Sequence, residues 1–250
     1  MAPVSSLLTL VVGSVLMSII ALVGAITLVL PARWLKRALL PLISLAAGSL
    51  LGGALFHMLP EAWGAMDPHR SGGWIAAGFS SFLALEEFLL WHHSHRNGNA
   101  QSRRRPIGVL ILLGDGLHNF IGGLGIASTY LINPPAGMAA WLAAVAHEIP
   151  QELGDYGVLL HSGWKPRSAL AWNGLSALTF PIGALLAWGL RNQLSLAPLV
   201  LFAAGNFIYI AASDLVPEIK SGQGLKESGF CFAWFSAGLL LLWLLALSSN

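Results

Sequence analysis

The sequence predicts an all-α integral membrane protein, a single transmembrane domain over residues 1–250 with eight membrane helices and both termini external. Three observations carry this. Hydrophobic residues make up 56% of the 250 and charged residues only 10%, where a soluble domain carries about 25% charged residues, so no water-soluble fold could bury the apolar surface. The apolar runs recur at the length that crosses a bilayer, about 20 residues. Lysine and arginine collect in alternate connections between the runs.

Taken in order, apolar runs bounded by polar punctuation give segment 1 near 6–30, segment 2 near 38–59, segment 3 near 72–91, segment 4 near 107–131, segment 5 near 137–160, segment 6 near 168–190, segment 7 near 196–216 and segment 8 near 229–247. Segment 1 follows a start, Met1 to Ser6, that lacks a basic residue, and its run is too long for the core of a cleaved signal peptide. It reads as a membrane helix. Helices rather than barrel strands follow from length, since a barrel strand needs only about 9 to 11 residues and alternates polar with apolar. A His- and Arg-rich loop, 92–106, joins segments 3 and 4 and holds His92, His93 and His95. Asn133-Pro134-Pro135 joins segments 4 and 5, a turn short enough to make them antiparallel neighbours.

Of the 13 Lys and Arg, all but Arg70 and Arg191 fall in odd-numbered connections. The positive-inside rule places those connections in the cytoplasm and both termini outside, in a cell (plasma or inner) membrane. The net charge of +2 therefore reflects topology and gives no reason to invoke nucleic acid. The single cysteine, Cys231, excludes a disulfide framework and a cysteine-built metal site within one chain.

Segment 2 carries Ala46-Ala47-Gly48 and then His57-Met58-Leu59-Pro60-Glu61, and segment 7 carries Ala203-Ala204-Gly205 and then Asp214-Leu215-Val216-Pro217-Glu218, at a constant offset of 157. Segment 2 ends outside and segment 7 inside. An inverted repeat of three helices about a central pair leaves such a match.

Polar residues inside the spans concentrate in that pair. Segment 4 carries Asp115, His118 and Asn119, and segment 5 carries His147, Glu148, Gln151, Glu152 and Asp155. A mid-membrane carboxylate costs about 2.5 to 3.5 kcal/mol on translocon scales, so something positive or strongly hydrogen-bonding should meet these groups. At 1.5 Å rise per residue His118 and His147 both lie about 15 to 17 Å into their spans, half of a hydrocarbon core of about 30 Å. His147 and Gln151 share one helix face, with Glu148, Glu152 and Asp155 as an acidic stripe beside it. Two imidazoles, amide oxygens and carboxylates suit a borderline divalent ion such as zinc, iron, manganese or cobalt, and the lack of sulfur ligands argues against copper(I). Pro150 frees the carbonyl of Ala146, which an ion or ordered water would satisfy.

Gly114-Asp115-Gly116-Leu117-His118-Asn119-Phe120 and His147-Glu148-Ile149-Pro150-Gln151-Glu152-Leu153-Gly154-Asp155 closely resemble the paired fourth- and fifth-helix signatures of the ZIP (Zrt/Irt-like) metal transporters. The likeness covers nearly the whole chain. It implies a three-helix, two-helix, three-helix inverted-repeat carrier and places His118, Asn119, His147, Glu148, Gln151 and Glu152 at metal-binding positions. Two positions depart from the family pattern. Gly122 stands where the family commonly has an acidic residue, and Gln151 where a second histidine is frequent; Asp115 or Glu152 would have to compensate.

Outside the pair, His57 with Glu61 and Asp214 with Glu218 sit near opposite mouths, where they either pass ions or supply ordinary helix-end polarity. His92, His93 and His95 are read as a weak metal-handling set, and Asp115 and Asp155 as network or secondary ligands. The expected partners are the metal ion as substrate and membrane lipid, with a homodimer allowed, and no organic cofactor. No enzyme activity is expected. A membrane metal sensor without net transport is one alternative. An intramembrane metalloprotease is another, because His147-Glu148-Ile149-Pro150-Gln151 is one residue short of H-E-x-x-H, yet Gln151 is a poor second zinc ligand. No G-x-x-x-x-G-K-[ST] loop supports direct ATP drive.

Overall fold

The computed structural model describes residues 4–28, 32–94, 100–220 and 224–248, with no strand among them. Helix α1 (Val4–Ile20) continues as a 3-10 stretch, Ala21–Leu28. Helix α2 (Ala32–Gly53), a π turn (Ala54–Met58) and α3 (Leu59–Trp63) form one rod, followed by α4 (Pro68–Ser94), α5 (Ala100–Ile132) and α6 (Pro134–His161). Helices α7 (Pro166–Ala177) and α8 (Thr179–Leu190) share a rod. So do α9 (Ala197–Tyr209) and a second π turn (Ile210–Leu215), which leads into α10 (Val216–Lys220), and α11 (Leu225–Ser248) closes the chain.

These rods follow the order of the expected segments. Among the described residues, five stretches are long and apolar enough to cross a membrane: Ser6–Ile26, Arg37–Trp63, Pro166–Leu190, Ala197–Leu215 and Lys226–Ser248. The chain is thus a multi-pass helical membrane protein. Helices α4, α5 and α6 have the length, at 27, 33 and 28 residues, but their described parts fall short in hydropathy. They carry Glu86, Glu87, Asp115, His118, His147, Glu148, Glu152 and Asp155.

Three boundaries differ from expectation. The loop drawn over 92–106 is mostly helix, since α4 runs on through His92 and His93 to Ser94 and α5 begins at Ala100. Charge alone does not stop a helix. His95 lies outside the described residues. Segment 6 is broken at Leu178, because Pro181 cannot donate to the Ala177 carbonyl; that oxygen instead accepts from Ser18 Oγ at 2.9 Å. Segments 2 and 7 each contain a π turn, and both turns end two residues before a proline, Pro60 or Pro217. The missing proline N–H removes an i→i−4 bond at each place and favours the wider turn.

Packing reproduces the repeat. A Cβ added at Gly48 would lie 1.9 Å from the Phe235 carbonyl oxygen, and one at Gly205 would lie 2.1 Å from that of Ile75. In return, Gly78 meets the Phe202 carbonyl at 1.9 Å and Gly238 that of Leu45 at 2.4 Å. Gly48 and Leu45 map to Gly205 and Phe202 at an offset of 157, while Ile75 and Gly78 map to Phe235 and Gly238 at 160. So α2 packs on α11 as α9 packs on α4. Backbone contact at this range explains the glycines, since any side chain would push the helices apart.

Candidate metal centre

The centre is set by the turn between α5 and α6. Asn133 caps α6, its side chain accepting from the Ala136 N–H at 3.3 Å, and Pro134 occupies the first helical position, where no N–H is needed. His118 lies 15 residues before Asn133 and His147 14 residues after it. Equal rise along antiparallel helices brings both to one level. Their rings are buried and meet edge to face, with centroids 5.3 Å apart. Phe82 of α4 covers His118 at 5.8 Å.

Beside the imidazoles, Asp115, Glu148 and Glu152 bring carboxylate oxygens within 4.8 Å of one another, all buried. At an effective dielectric of about 20, two such charges at 4.8 Å repel by about 3.5 kcal/mol. Neutral donors hold part of the set. Asp115 accepts from Asn119 Nδ2 at 2.8 Å, from Gln151 Nε2 at 3.2 Å and from Ser176 Oγ, and Glu152 accepts from Asn173 Nδ2. The remaining atoms are in surplus: Asn119 Oδ1, Glu148 Oε1, Glu152 Oε1 and Asn173 Oδ1 have no hydrogen-bond partner, nor have Nδ1 of His118 and both ring nitrogens of His147. Each unpartnered buried acceptor costs about 1 to 3 kcal/mol, more when charged. Among the described residues no Lys or Arg lines the adjoining cavity. A dication, or protons, would relieve both the repulsion and the surplus.

That cavity is about 370 Å³ and is lined by Asp115, His118, His147, Gln151, Asp155 and, toward the end of segment 7, Glu86, Tyr209 and Asp214. The Tyr209 hydroxyl donates to Glu86. At the other end of the bundle, Glu61 accepts from Asn133 Nδ2 at 2.7 Å and lines a separate space of about 430 Å³ with Arg191, Asn192 and Ser195. The even-numbered connections meet there.

The structure thus gathers His118, Asn119, His147, Glu148, Gln151 and Glu152, and it puts Asp115 at the heart of the carboxylate group. Asp155 and Asp214 line the cavity. His57, expected near a mouth, sits in the first π turn, buried, with Nε2 at 2.8 Å from the Leu242 carbonyl oxygen of α11. The side chains of His92, His93 and Glu218 fall outside the described residues. Sequence reasoning missed Asn173 and Ser176 of α7 and Glu86 of α4. The available signal was Asn173, Ser176 and Thr179 recurring every three residues in an apolar span. At Gly122 a Cβ would meet only the Phe180 ring, at 3.5 and 3.7 Å, ordinary contact distances.

The class the fold and site define is a multi-pass helical membrane protein with a buried acceptor cluster, between paired helices, of a kind that could hold a cation. The family model of the ZIP zinc transporters matches residues 4–106 and 91–246, and the chain belongs to that family. It is 31% identical over 223 residues to a protein named zinc transporter ZIP13 of Pongo abelii, covering 82% of this chain and 66% of that one. It is 36% identical over 154 residues to one named zinc transporter ZIP10 of Homo sapiens, covering 56% of this chain and 18% of that one. The chain therefore spans just under two thirds of the first relative and about a fifth of the second.

Proposed function

We propose that the chain carries a divalent transition metal ion across the membrane toward the cytoplasm, with zinc as the foremost substrate and iron, manganese or cobalt as alternatives. One observation carries the reading. Three buried carboxylates converge beside two imidazoles, with unpartnered acceptor atoms and, among the described residues, no Lys or Arg in the lining of the adjoining cavity. Such a set attracts a dication and holds it with oxygen and nitrogen ligands. The family membership and the names of the relatives point the same way.

In this reading His118, Asn119, His147, Glu148, Gln151 and Glu152 ligate the ion together with Asp115, and Ser176 and Asn173 orient the carboxylates. Asp155, Glu86 and Asp214 form an acidic exit path. Two separate cavities support alternating access. The centre adjoins the cavity that reaches Asp214, and the cavity at Glu61 shares no lining residue with it. With the odd-numbered connections in the cytoplasm, this arrangement faces inward, and an outward-facing state opens when one helix group moves against the other around the site. The eight-pass topology, the external termini, a cell-membrane location and a homodimer belong to the same reading.

The test is uptake of zinc, iron, manganese and cobalt ions into liposomes carrying the native chain or His147→Ala. The native chain should accumulate zinc, and His147→Ala should lower the rate at least tenfold. Equal rates would overturn the site, and native liposomes that take up none of the four ions would overturn transport.

A further inference from the structure

Two fully buried polar side chains outside the centre have no partner: Asn206 on α9, at both Nδ2 and Oδ1, and Ser128 on α5, at Oγ. Their places in the bundle are related. A Cβ at Gly125 of α5 would lie 2.1 Å from Ala203 Cβ of α9 and 3.5 Å from Met58 Cε, while His118 shares its cavity with Tyr209 and Ile210. The Gly125–Ala203 approach, together with the cavity that His118 and Ile210 both line, means that the two rods run antiparallel. Asn206 shares a face with Ala203 and Ile210, at spacings of three and four. It therefore lies level with Gly122, about 6 Å outward of His118 at 1.5 Å per residue, and Ser128 lies about 15 Å outward. Five residues beyond Ser128 stands Asn133, bonded to Glu61 at the opposite end.

The surrounding seam is apolar. Met58, Ile121, Ala203 and Phe207 are buried in one cluster there. For packing alone an aliphatic side chain is better than an amide with neither donor nor acceptor satisfied. The unpartnered groups nevertheless form a series, from His118 through Asn206 and Ser128 to the Asn133–Glu61 pair, which links the centre to the outer cavity along one interface.

We infer that Asn206 and Ser128 are transit ligands: neutral oxygens that replace hydration water as the ion moves from the Glu61 end to the imidazole level when the α5–α9 seam opens. Neutral oxygens suit this task because a passing ion must be bound well enough to enter and weakly enough to leave. The inference rests on the transport reading.

Its test compares Asn206→Leu and Ser128→Val with the native chain, by zinc uptake into liposomes and by calorimetric zinc binding to purified protein. Uptake should fall at least tenfold in N206L and severalfold in S128V, while zinc affinity stays within twofold of native. A second arm places Ser128→Cys in a Cys231→Ser background and adds cadmium, a soft ion that a thiolate in its path would hold. Cadmium should block zinc uptake by S128C and leave the C231S parent active. If N206L fails to fold, the cadmium arm decides. Native uptake rates in both variants, an affinity loss that matches the uptake loss, or cadmium-insensitive S128C would each overturn the inference. Absence of uptake by the native chain would instead overturn the transport reading itself, and this inference with it.

Discussion

Asp115 accepts hydrogen bonds from three side chains on three different helices, Asn119 of α5, Gln151 of α6 and Ser176 of α7. That convergence ties α7 to the central pair and fixes where a carboxylate faces Glu148 and Glu152. The sequence made the imidazoles and the acidic stripe of segment 5 readable, because helical spacing sorts residues on one helix into faces. It left Asp115 in a secondary role and omitted Asn173 and Ser176, because spacing does not say which third helix packs against a face. Two neutral side chains three apart are also ordinary interhelical hydrogen-bonding groups. Gly122 is a departure from the family pattern with a structural consequence. Only the Phe180 ring meets a Cβ there, at contact distances, so Gly122→Asp should fold and add a carboxylate one turn from His118. Calorimetric titration should show zinc bound at least tenfold more tightly, or an additional ion; binding identical to the native chain would place the new carboxylate outside the centre.

At the scale of elements, the paired glycines set the interhelical distances. Gly48→Ala and Gly205→Ala each force a methyl group to within 1.9 and 2.1 Å of a backbone oxygen, and backbone, unlike a flexible side chain, cannot turn aside. Overpacking of this kind costs about 1 to 3 kcal/mol, so each variant should melt at a clearly lower temperature in detergent. Gly157→Ala is the control, with nothing within 4 Å, and alanine's better helix propensity of up to about 1 kcal/mol should leave its melting temperature equal or higher. If G48A and G205A melt with the native chain, the close contacts are not what holds these helices. The repeat was visible in the sequence as a constant offset of identical residues. The reciprocal glycine contacts and the matched π turns were not, since they depend on which helix lies opposite. The break at Leu178 was missed for a related reason: Pro181 was present, but the Ser18 hydroxyl that satisfies the freed carbonyl lies 159 residues away in sequence.

For the whole molecule, composition and run length were enough to read an all-helical membrane bundle, and among the described residues five stretches meet the requirement for crossing by length and composition. The described parts of α5 and α6, the two helices that carry the centre, fall short of it. The polar side chains that lower the hydropathy of the described parts of α5 and α6 suit a cation, and the surrounding rods supply apolar cover. Electrostatics at the centre of the bundle is decisive: three carboxylates sharing one space need a positive charge. Titration of zinc into the purified chain, native and as the double variant Glu148→Gln and Glu152→Gln, measures this directly. The native chain should bind zinc at a saturable site, and the double variant should bind at least a hundredfold more weakly with unchanged helical circular dichroism. Zinc binding as tight in the double variant as in the native chain would contradict the account.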